Sequence, residues 1–110
     1  MLVNNIPTVR IVDAQGNDLN LNFTNSAPTF NTGQVTLGAT KVLILSPNSH
    51  RTRLIVSNNS GNDVFLGNSS VTLTTGYLLH SPGDIEIMNT SAIYGISKKS
   101  SLITFWEETF

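Results

Sequence analysis

No cysteine occurs in the 110 residues, which excludes a disulfide framework, a thiolate metal site and a cysteine nucleophile. Charge is scarce as well. Six Lys and Arg stand against seven Asp and Glu, for a formal net charge of -1, and charged residues make up only 12% of the chain, where an ordinary domain carries about 25%. A chain without a positive field does not gather phosphates, so neither nucleic acid nor an anionic membrane is expected as a partner. Weak charge repulsion also makes self-association easy. The opening residues MLVNNIPTVR show no basic stretch followed by an apolar core, and no run approaches about 18 apolar residues, so neither a Sec-type leader nor a membrane span is expected.

Catalytic patterns are equally thin. His50 and His80 are the only histidines, and neither has a partner at a metal-binding spacing, so no metal and no cofactor is expected. No nucleophile elbow of the GxSxG type is present. Gly61, Gly67, Gly76 and Gly83 fall at expected turns, and none opens a phosphate loop. Asp63, Asp84, Glu86, Glu107 and Glu108 could in principle supply two acids to one cleft, but glycosidase chemistry needs a fixed separation that no strand pattern demonstrates. Asp84 follows Ser81-Pro82-Gly83, where a turn is the simpler role. The chain reads as a non-enzyme. Asn22, Asn58, Asn68 and Asn89 match the glycosylation acceptor pattern, as chance allows in a chain so rich in Asn, Ser and Thr.

What the chain does have is rhythm. Short apolar runs alternate with Asn, Gly, Ser and Pro, and no 3.6-residue apolar period appears, so the expectation is an all-β fold: a small antiparallel β-sandwich or jelly-roll-like module with an N-terminal hairpin or arm. The division falls near residue 40. In residues 1–40, Val9–Val12 and Leu19–Phe23 flank a turn-forming segment and read as a hairpin. Leu19, Leu21 and Phe23 alternate with Asn20 and Asn22, giving one apolar and one amide face. Thr24–Thr32 reads as a loop or extended arm, with Phe30 a candidate to dock on a neighbour. Residues 41–110 form the sandwich, with strand candidates at Lys41–Leu45, Arg53–Asn58, Val64–Leu66, Ser70–Thr74, Tyr77–Leu79, Asp84–Met88, Ala92–Ile96 and Leu102–Trp106.

Two groups of candidate contact residues follow. Arg53 shares a strand face with Ile55 and Ser57, and its guanidinium is expected to pair with Asp84 or Glu86, or to cross a subunit boundary to Glu107 or Glu108. Tyr94 and Trp106 lie in strand patterns and suit the core or an interface. Arg53, Tyr94, Trp106 and Glu107 are thus candidate oligomer or fold contacts. Tyr77, beside Gly76, is the ring best placed for exposure. With Asn68 and Asn89 it forms a candidate saccharide-contact set, because an aromatic face packs against the C–H surface of a sugar. Lys98-Lys99 reads as a solvated hairpin tip.

The succession RTRLIVSNNSGNDVFLG, SSVTLTTGYLLHSPGDIEI, SAIYGIS and the last run ending in ITFWEE resembles small β modules of tailed-phage structural proteins, over Val42 to about Glu107. The resemblance implies a virion accessory protein with Arg53, Asn58, Gly67, Gly76, Pro82, Gly83, Tyr94 and Gly95 defining the fold. It implies a homotrimer that decorates or stabilises the capsid surface, with itself and the major capsid protein as partners and the N-terminal part as a gripping arm. The alternative it implies is a carbohydrate- or receptor-binding module of a phage tail, with a host surface glycan as partner.

Overall fold

The computed structural model describes residues 28–110; the expected hairpin Val9–Phe23 lies outside the described residues. Eight strands follow in order: β1 (Thr29–Leu37), β2 (Val42–Leu45), β3 (Arg51–Asn58), β4 (Val64–Gly67), β5 (Tyr77–Leu79), β6 (Gly83–Ile87), β7 (Ile93–Ile96) and β8 (Ser101–Thr109). They form two four-stranded sheets, β1-β8-β3-β6 and β2-β7-β4-β5, with every pairing antiparallel. Strand β1 pairs with β8, β2 with β7, β3 with β6 and β4 with β5. That nested pairing is the connectivity of a jelly roll.

Alternation explains which side chains meet between the sheets. In β3, Leu54 and Val56 are fully buried, and in β8 Ile103 joins them while Leu102 and Trp106 stay outside. Leu37, Ile44, Val64, Leu66, Leu79 and Ile93 complete the core. The turn after β3 is held by a buried amide. Asn58 donates through Nδ2 to the carbonyls of Asn62 (2.8 Å) and Leu79 (2.9 Å), and its Oδ1 accepts from the Ser60 N–H (3.1 Å) and hydroxyl (2.7 Å). Burying this amide is therefore inexpensive, since its polar atoms are satisfied.

Two sequence expectations need correction. The sequence reads Thr24–Thr32 as a loop or extended arm and sets residues 1–40 apart from the sandwich, yet β1 runs beside β8 from Thr29 to Leu37 in unbroken register. The face that carries Val35 and Leu37 also carries Thr29, Asn31 and Gly33, so only two of its five positions bear an apolar side chain and the period is diluted. The missing side chain at Gly33 is replaced by a neighbour's ring: a Cβ there would lie 2.6 Å from Cζ of Phe105, its partner across the strands. Ser70–Thr74 is the second case. It is part of a turn, because the Thr72 hydroxyl engages the Thr74 and Thr75 hydroxyls and backbone (2.9–3.3 Å), the local bonding by which threonine competes with a ladder.

Candidate functional site

Three of the sequence candidates meet in one place. Asn68, Tyr77 and Asn89 line a cleft of about 420 Å³ together with Leu66, Gly67, Ile85, Ile87, Ser91, Ala92 and Ile93. The cleft opens where the edge strand β6 of one sheet faces β4 and β5 of the other. Its floor is aliphatic, its rim is amide and hydroxyl, and none of its lining residues is charged.

Packing fixes each wall. Val71, 4% exposed, is clasped between two glycines: a Cβ on Gly67 would meet its Cγ2 at 2.9 Å and one on Gly76 at 2.8 Å. This clasp seats the loop that begins with Asn68 and ends at Tyr77. Asn68 Oδ1 accepts the Ser70 N–H (2.8 Å), its carbonyl accepts the Val71 N–H (3.0 Å), and Lys41 Nζ donates to the Ser69 carbonyl. Tyr77 itself is 62% exposed.

The opposite wall rests on Arg51, two residues before Arg53 in the chain. Its guanidinium is fully buried and makes a 2.9 Å ion pair from Nε to Glu107 Oε2. Nη1 donates to the carbonyls of Asn89 and Ser91, both at 2.9 Å, and Nη2 donates to the Ser46 carbonyl at 2.7 Å. One side chain thus ties β8, the β2–β3 connection and the β6–β7 loop. Asn89 Oδ1 in turn accepts the Ser91 N–H at 2.6 Å. The arrangement depends on a bulge: Arg51 pairs with Thr109 and Arg53 with Glu108, leaving Thr52 as the extra residue. An extra residue reverses the alternation, so Arg51 enters the core side while Arg53 remains outside.

Arg53 lies on the outer face of the first sheet, where Nε contacts Glu86 at 2.6 Å and Nη1 contacts Glu108 at 3.6 Å. The expected pairing with Glu86 is present. Glu107, offered as a partner across a boundary, instead belongs to Arg51 within the chain, because it is an inward residue of β8. Trp106 is on the same outer face, stacked on Phe30 with ring centroids 4.3 Å apart and planes at 2°, and its indole N–H donates to Glu108 at 2.8 Å. Phe30 is 57% exposed and Trp106 38%. Tyr94 is half-buried in β7, opposite Leu43 and Gly67.

The four sheet edges are unequal. Strand β2 has four residues and an irregular register between Leu43 and Leu45; β5 has three residues. Strand β6 exposes Asp84 and Glu86. Strand β1 has nine residues, regular register and no charged side chain, and among the described residues only β8 pairs with it. Natural edges are ordinarily blunted by charge, Pro, bulges or shortness, and β1 alone shows none of these. Among the described residues no group of three or more His, Asp or Glu gathers as a metal site would require.

These features define a small all-β jelly-roll sandwich with one open edge and one amide-rimmed cleft. No family model and no curated protein sequence matches the chain. Among solved structures, the fold is similar to that of a chain from Bacillus endospore appendages, described as a novel family of disulfide-linked pili, with a TM-score of 0.50, 9% identity, and coverage of 76% of this chain and 86% of that one. At that identity the likeness is one of fold.

Proposed function

We propose that the protein is a non-catalytic structural module that self-associates and coats a larger assembly. The open β1 edge carries this reading. Its occupant is the segment Leu19–Phe23 of a second copy, in whose sequence Leu19, Leu21 and Phe23 alternate with Asn20 and Asn22, the same apolar and polar alternation as the inward Val35 and Leu37 and the outward Gln34 and Thr36 of β1. Strand addition of this kind draws affinity from main-chain bonds and register from alternate side chains. The exposed Phe30–Trp106 pair beside the edge offers apolar anchorage.

An arm passed from one copy to the next is a head-to-tail contact, which closes into a ring or continues as a filament. The resemblance to tailed-phage accessory modules favours a closed homotrimer on the capsid surface, with the major capsid protein as partner and repetition supplying avidity. The fold likeness to a pilus chain supports a surface-exposed structural role more generally. Disulfide links of the kind described there cannot form within these 110 residues, which contain no cysteine.

Sedimentation velocity tests the reading. The full chain is expected to form a discrete oligomer and to pellet saturably with expanded capsids, and a chain lacking residues 1–23 to be a folded monomer that stays in the supernatant. A full-length chain that is monomeric at high concentration, or a truncated chain that still assembles, would overturn it. Long filaments in electron micrographs would keep the contact but replace the ring.

A further inference from the structure

We infer that the cleft between β6 and the β4–β5 hairpin is a binding site for a neutral saccharide. This inference does not depend on assembly through β1. The cleft combines four properties that such a ligand uses. An exposed aromatic ring, Tyr77, stands at its mouth and presents a flat π-face to the C–H side of a pyranose. Aliphatic side chains of Leu66, Ile85 and Ile87 form the floor.

The third property is a set of polar groups that are fixed and still have capacity. The Oδ1 atoms of Asn68 and Asn89 are each taken by the N–H two residues on. Their Nδ2 hydrogens have no acceptor among the described residues, so each amide is oriented by one end and donates with the other. The hydroxyls of Tyr77 and Ser91 likewise have no partner there. Sugar hydroxyls both donate and accept, and this mixture of amide and hydroxyl groups answers both. The fourth property is the lack of charge in the lining. A phosphate, a carboxylated sugar or a charged peptide would lose hydration without a counter-charge, whereas a neutral, hydroxylated ring would not.

Rigidity strengthens the case. The Val71 clasp sets Asn68 and Tyr77, and the buried Arg51 guanidinium sets the Asn89 and Ser91 carbonyls. Both walls are therefore held before a ligand arrives, which reduces the ordering cost of binding. The volume, about 420 Å³, falls within the range of small-molecule sites and accommodates a terminal sugar residue of a longer glycan.

A glycan array bearing neutral and acidic oligosaccharides, probed with the full-length protein, is the first test. Hits on neutral glycans are then followed by amide NMR titration with the same oligosaccharide. Shifts are expected at the side-chain amides of Asn68 and Asn89. Tyr77→Ala is expected to weaken binding about tenfold or more, the scale of one lost stacking contact, and Asn89→Ala to weaken it less. Lys98→Ala, in the exposed turn between β7 and β8 and outside the cleft lining, serves as the control and should leave affinity unchanged. Tyr77 is exposed, so its loss does not threaten folding, and a sedimentation profile of each variant separates binding from assembly. Absence of neutral hits, hits confined to acidic glycans, or binding that survives Tyr77→Ala would each overturn the assignment.

Discussion

The β1 side and the β5/β6 side of the sandwich both end in strand edges, and chain chemistry makes them opposites. Along β1, nine residues without a charge or a bulge present a straight ladder of backbone groups, suited to another strand. On the other side, β5 is three residues long and β6 carries Asp84 and Glu86, so backbone pairing is disfavoured and the gap between the sheets is left concave. An edge that recruits main chain and an edge that recruits through side chains thus sit on one small module. The comparison teaches that where an edge is blunted by charge and shortness, the space beside it becomes available for a different kind of recognition.

The largest effect on this contrast should come from Arg51→Ala. Removing one partner of a buried, hydrogen-bonded ion pair leaves Glu107 uncompensated and costs about 3–5 kcal/mol. It also frees the Asn89 and Ser91 carbonyls that shape the cleft. Urea denaturation should show the loss of stability, and amide NMR should show disorder centred on residues 89–91. A loss below about 1 kcal/mol would mean that the bracket does not hold that side together.

Gly33→Val comes next and acts on the β1 side. Its side chain must displace the Phe105 ring, at an expected cost of about 1–3 kcal/mol from overpacking, measured by the same denaturation. A neutral outcome would show that the ring moves aside freely and that β1 is less tightly seated than its register suggests. A smaller loss of stability is expected for Thr32→Lys combined with Gln34→Lys. These outward positions are exposed, so the fold should be retained with a change within about 0.5 kcal/mol, while sedimentation should show assembly weakened by edge charge. Unaltered assembly would remove β1 from the contact.

Arg53→Ala should have an effect of at most about 1 kcal/mol, because its pairs with Glu86 and Glu108 lie at the surface with all three side chains at least partly exposed. Set beside Arg51→Ala, it shows how one extra residue, Thr52, separates two neighbouring arginines into a core bracket and a surface pair.

Much of this was legible in the chain itself. Leu54 and Val56 alternate with Arg53, Ile55 and Ser57, and the strands from β2 to β8 follow short apolar runs divided by turn residues, so the all-β sandwich could be read from rhythm and period. The cleft trio was readable in kind, since Tyr77 beside Gly76 signals exposure and Asn68 and Asn89 sit at turns. Other features were hidden for physical reasons. A bulge changes which face a residue takes without altering residue types, so Arg51 could not be told from Arg53. Strand β1 was obscured because Gly33 takes its apolar cover from Phe105, far along the chain. The Val71 clasp depends on two glycines meeting one methyl group from either side, which no local pattern encodes.

The most direct test of the central claim uses the lack of cysteine. A chain carrying Asn20→Cys is mixed with chains carrying Thr32→Cys, Gln34→Cys or Thr36→Cys, then oxidised and run on a non-reducing gel, so that a mixed disulfide can form only between copies and only where strands approach within bonding distance. The account predicts a mixed dimer band for at least one of the three pairings, lost in a chain with Leu19, Leu21 and Phe23 changed to Ser. No mixed band, together with an internal link in a chain carrying both cysteines, would show that the arm folds back on its own β1 edge, and would contradict assembly through that edge.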